Sequence, residues 1–213
     1  MKISEIYKKY NIPPNLIDHM FTVARVALFI SDHWVGSKLD RNRLLKIALL
    51  HDLGNIVKFD FDKHPEFLGK EIQNIAFWKG KQKEIIAKYG RDDHKATTEM
   101  LKQIGLSEED IDIASSKSFG NSVATKESKN WTLKILLYSD LRVLPFGVGT
   151  LEERFQDMMS RMPQYNKRPD IEDLFQACRE IEKQIQNNVN VSLATINAKS
   201  IKEKNENLLN IEI

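Results

Sequence analysis

Residues 44–53 read LLKIALLHDL, and Gly54 and Asn55 follow directly. Apart from Lys46, every residue of this run before the His51-Asp52 doublet is apolar. On a helix, residues three, four and seven apart share a face. The upstream face-mates of His51 are then Ala48, Ile47 and Leu44, and those of Asp52 are Leu49, Ala48 and Leu45. A helix this apolar has to be central to a core, so it carries an imidazole and a carboxylate inward. It is expected over about Asp40 to Leu53, stopping near Gly54-Asn55.

Two flanking stretches repeat the pattern. In WTLKILLYSDL, residues 131–141, Asp140 shares its face with Leu137, Leu136 and Leu133. His19 is followed on its face by Thr22, Val23 and Val26. A buried carboxylate without a partner costs several kcal/mol, so such a group is neutralised, paired or metal-bound. Two aspartates and two neutral imidazoles would suit one divalent ion such as Mn, Fe, Co, Ni, Zn or Mg. Four protein ligands on a six-coordinate ion leave room for water and substrate. Each residue alone has a plainer reading. A single core histidine is more often hydrogen-bonded, and Arg142 or Lys134 could pair with Asp140.

Helical periodicity dominates the rest of the chain, with only 9 glycines and 6 prolines. A first helix is expected after Pro13-Pro14, capped by Asn15 and running to about His33. Residues 59–80, with Phe59, Phe61, Phe67, Phe77 and Trp78, read as short helices and turns. Further helices are expected over Lys81–Lys88, from Asp92-Asp93 to Gly105, from Ser107, over Trp131–Leu144 with a break at Pro145, and over 151–162 and 169–186. An all-α domain over residues 1–186 is expected, followed by a polar extension over 187–213 that forms a peripheral helix or loosely held tail.

Length and composition are those of an ordinary globular chain: 213 residues, 41% hydrophobic and 29% charged, with a net charge of +2. That balance weighs against a nucleic-acid partner; Lys79, Lys81, Lys83 and Lys88 beside Trp78 and Tyr89 read as a solvated helix face. The lone Cys178 excludes an internal disulfide and a cysteine-based zinc site, and its apolar spacing marks it as a small core residue. No signal peptide or membrane-length apolar run is present, so a cytoplasmic location without membrane association is expected.

The order His19, His51-Asp52 in LLHDLGN, then Asp140 in LLYSDLR, resembles the HD-domain superfamily of metal-dependent phosphohydrolases. The likeness covers about residues 15–160. It implies an HD-type helical bundle, one metal at these four positions, and hydrolysis of a small phosphoester, often a nucleotide. By the same resemblance His94, opening the helix in DDHKATTEMLKQIGLSEED, is the intermediate histidine that binds a second metal or contacts phosphate. Members with two metals carry a further histidine where this chain has Ser115, Ser116, Lys117 and Ser118, which argues against a dinuclear site; His64 is a weak substitute. Asn55 stands where many members have lysine, and Lys58 is the nearest lysine.

The resemblance therefore implies Asp52 and His94 as catalytic groups, with Lys58 and Arg142 as candidate phosphate contacts. For His94 an exposed first-turn position is an equal alternative, as is a structural ion pair for Arg142. A catalytically silent regulatory module that binds metal and nucleotide is the competing function. The apolar LRVLPFGV segment at 141–148 or the last helix could support a homodimer.

Overall fold

The computed structural model describes residues 1–145, 147–201 and 205–213, and the side chains of all of these but Phe67 and Pro163. The chain is all-α. Among the described residues the one sheet is a pair of two-residue strands, β1 (Val143–Leu144) and β2 (Gly147–Val148), antiparallel with Val143 opposite Val148. No helix among these residues is long and apolar enough to cross a membrane.

The helices are α1 (Ile3–Lys9), α2 (Pro14–Asp32), α3 (Arg41–Leu50), α4 (Ile75–Tyr89), α5 (Asp93–Gln103), α6 (Glu108–Ser116), α7 (Ser122–Glu127), α8 (Trp131–Leu141), α9 (Leu151–Arg161), α10 (Ile171–Gln186) and α11 (Asn205–Leu209). The chain divides into two compact units, neither continuous in sequence. One comprises Met1–Phe21, Leu49–Ser115 and the described residues after 204; the other comprises Thr22–Ala48 and the described residues of 116–203. Both early boundaries fall inside helices, in α2 after Phe21 and in α3 after Ala48.

In the first unit, Ile3, Ile6, Met20, Leu50, Leu53, Ile56 and Met100 are buried core residues. The chain leaves α3 at Leu50, three residues earlier than the periodicity predicts. His51–Gly54 form turns, and a short 3-10 helix, Asn55–Lys58, follows. The cause lies at Gly54, whose amide donates to Thr97 Oγ1 at 3.0 Å. A Cβ at Gly54 would lie 2.5 Å from the Thr97 backbone nitrogen and 2.7 Å from Ala96 Cβ. The α5 backbone thus comes up against the turn, and the 3-10 helix packs on both α4 and α5. Helix α4 begins at Ile75, before the expected Lys81, with buried Trp78 and Ile85 two turns apart on one face.

The second unit is organised around α10, which packs on α7, α8 and α9. Helix α8 ends at Leu141 rather than Leu144. Val143 begins the hairpin instead, and Gly147 supplies a backbone φ of 128° that only glycine takes up readily. Arg142 is 2% exposed and fastens this region. Its guanidinium donates to Tyr138 Oη, Gly149 O, Leu193 O at 3.2 Å and Ile196 O at 3.0 Å. Leu141 and Val143 of the segment expected to support a dimer are buried within the chain. Phe146 of that segment lies outside the described residues.

Over 187–213, where a peripheral helix or a loosely held tail is expected, the described residues include the short helix α11 and several ties to the rest of the chain. Val189 bridges Trp34, and Val35 N–H donates to Asn188 O at 2.9 Å. Leu193, Ile196 and Leu208 are buried. In the first unit Ile3 N–H donates to Ile211 O, and Glu212 bridges Lys2.

Candidate metal centre

His51 and Asp52 sit in the turn that follows α3, immediately after its apolar run. Tyr7 Oη donates to Leu49 O at 2.6 Å, satisfying a carbonyl at the helix end just before the doublet. The His51 side chain is fully buried and that of Asp52 is 13% exposed. His19 projects from α2 between buried Leu16, Met20 and Val23.

These residues converge. Nε2 of His19 lies 3.5 Å, and Nε2 of His51 3.6 Å, from the same Asp52 Oδ2. The two rings stand 5.5 Å apart, centroid to centroid. Such separations are longer than an ordinary N–H···O bond. They approach the spacing of two donors that share an ion at about 2.1 Å, which is roughly 3.0–3.4 Å. The donor atoms of His19, His51 and Asp52 all lie within 4.8 Å of one another. Two imidazoles with a carboxylate fit a borderline divalent cation.

Asn55 and Lys117 stand out in the sequence only as departures from the family pattern, yet each bonds a carboxylate of the doublet or of α8. Asn55 is 7% exposed, and its Nδ2 donates to the Asp52 oxygen that both imidazoles face. A neutral donor therefore orients Asp52 at the place where the resembling family often has lysine. Lys117, 6% exposed, sets its Nζ 2.9 Å from Asp140 Oδ2. Its stretch was notable only for lacking histidine; an inward lysine there has no periodic signature.

The other expected site residues lie outside the ligand group. Lys58 is exposed and pairs with Asp93 at 2.8 Å. His94 is the exposed second residue of α5 and borders a shallow pocket with Tyr89 and Lys95. His64 precedes Pro65, with its Nδ1 3.1 Å from Glu66 Oε1. Arg142 donates to a phenol and three backbone carbonyls, where a structural ion pair was the alternative weighed for it above.

No curated protein and no solved structure matches the chain. The HD domain family does, over residues 16–130, a range that contains His19, His51 and Asp52 and ends before Asp140. Because the match takes in more than half of the sequence and carries the converging doublet, the chain belongs to the HD domain family.

Proposed function

We propose that the protein is a metal-dependent phosphohydrolase acting on a small phosphoester, with a nucleotide as the expected substrate. The observation that carries this reading is the convergence of two imidazole nitrogens on one carboxylate oxygen of the HD doublet. On this reading His19, His51, Asp52 and Asp140 hold one divalent ion. Such an ion supplies Lewis acidity toward a phosphoryl oxygen and an activated water near neutral pH. Asn55 keeps Asp52 turned toward the imidazoles. Asp52 also orients the attacking water, and His94 donates a proton to the leaving oxygen. Lys58 can trade its exposed pairing with Asp93 for a substrate phosphate. Arg142 acts at a distance from substrate, holding the chain just after Asp140. A cytoplasmic site of action agrees with the single reduced thiol.

One observation favours a second reading, a regulatory module that no longer turns over. Lys117 places a buried ammonium on Asp140, a cation of the protein's own beside a proposed ligand. One experiment separates the two. Metal content is measured for wild type and Asp52→Ala under non-chelating preparation, followed by a phosphoester screen with Mn, Co and Ni. Near-stoichiometric metal lost in the variant, together with hydrolysis, is the expected outcome. Metal without hydrolysis supports the regulatory module, and metal-free wild type overturns both.

A further inference from the structure

Between the 3-10 helix Asn55–Lys58 and α4 lies a cleft of about 500 Å³, within the size range of small-molecule sites. Four cations line it: Lys58, Lys79, Lys83 and Arg91. Asp60 and Asp62 are the carboxylates on its wall. Lys79 pairs with Asp62 at 2.5 Å, and Lys58 with Asp93 at 2.8 Å. Ion pairs this exposed contribute little and exchange readily for a more highly charged anion. Lys83 and Arg91 are exposed and have no carboxylate partner among the described residues. The cleft therefore has positive charge to spare.

Its floor is firmly held. Gln82 Nε2 donates to Ile56 O and Phe59 O, both at 2.7 Å, tying α4 to the 3-10 helix. Phe59 and Phe61 meet edge to face at 5.7 Å beside it. The cleft also begins close to the metal centre along the chain. Asn55, which bonds Asp52, opens the 3-10 helix that Lys58 closes. At about 2 Å rise per residue, that helix carries the chain about 6 Å.

We propose that this cleft binds a second anionic group of the substrate. The molecule taken then bears at least one phosphate beyond the one presented to the metal, and is a small polyphosphorylated compound rather than a simple monoester. The scissile phosphoester would sit against the doublet, while Lys83 and Arg91 grip the distal phosphate with charge-assisted hydrogen bonds. This inference rests on the phosphohydrolase reading for the identity of the first phosphate; the cleft's affinity for a polyanion stands apart from it.

The test has two arms. Inorganic tripolyphosphate and orthophosphate are titrated calorimetrically into the full chain in EDTA, using wild type, Lys83→Gln/Arg91→Gln, and Lys88→Gln as a control on α4 outside the cleft. Saturable tripolyphosphate binding, weakened about tenfold or more in the double variant and unaltered in the control, is expected. Thermal melts establish that the double variant, altered at two exposed positions, is folded. Equal binding by wild type and double variant, or orthophosphate binding as tightly as tripolyphosphate, overturns the proposal. In the second arm, Mn-dependent hydrolysis of a nucleoside triphosphate and of p-nitrophenyl phosphate is compared. The ratio of kcat/KM for the triphosphate to that for the monoester should fall about tenfold in the double variant; an unchanged ratio also overturns the proposal. Hydrolysis of neither compound sinks the phosphohydrolase reading, and the titration still decides whether the cleft holds a polyanion.

Discussion

Asn55 bonds the same Asp52 oxygen that His19 and His51 face, so it determines where that carboxylate points before any ion arrives. Partners of this kind are typically worth about 10–100-fold in metal affinity. Asn55→Ala should therefore weaken Mn binding at least about tenfold by calorimetry with the fold intact; unchanged affinity would show the bond to be idle. Cys178 makes a contrasting case. Burial pushes its thiol up to about 11, while the Ser122 hydroxyl beside it pulls the other way. At pH 8 the thiolate is roughly one part in a thousand. Iodoacetamide should leave the native protein unlabelled at that pH and modify it once denatured; fast native labelling would contradict the packing. Both histidines and both aspartates could be picked out in the sequence because they interrupt apolar faces. Asn55 and Lys117 could not, because a polar residue just past a helix end looks the same whether it turns inward or outward.

Among the elements, the 3-10 helix Asn55–Lys58 does most to arrange the site. It exists because α3 stops at Leu50 and α5 presses on Gly54. Adding one methyl there meets backbone, which cannot move aside as a flexible side chain would. Gly54→Ala should cost about 1–3 kcal/mol in urea denaturation and lower metal affinity in parallel, since the turn carries His51 and Asp52. A neutral effect on both would mean that α5 can retreat. Periodicity located α2, α5, α9 and α10 to within a few residues because their apolar stripes are regular. It carried α3 and α8 too far, since an apolar run reads alike in a helix and in the turn or strand that continues it. It also gave no hint of α1, a seven-residue helix too short to be stable alone, which persists through buried Ile3, Ile6 and Tyr7.

At the scale of the whole molecule, the two ends of the chain meet within one unit. The Met1 ammonium donates to Ile213 O at 3.1 Å, Ile3 N–H donates to Ile211 O, and Leu208 is 1% exposed. Removing residues 205–213 should expose the underside of α1 and lower Tm by about 4–10 °C, from the burial of one leucine and the lost backbone bonds. A Tm unchanged in scanning calorimetry would mean that this segment contributes nothing. The sequence by itself determined the all-α class and the HD doublet, and it singled out the four residues proposed as ligands. Each of these follows from local periodicity and from the cost of burying charge. Only the tertiary structure decided that His19, His51 and Asp52 converge on one oxygen, that Asn55 and Lys117 turn inward, that Arg142 is spent on backbone carbonyls, and that the polar C-terminal stretch is tied down. Those outcomes depend on which distant segments come together, and no local pattern of residues encodes that.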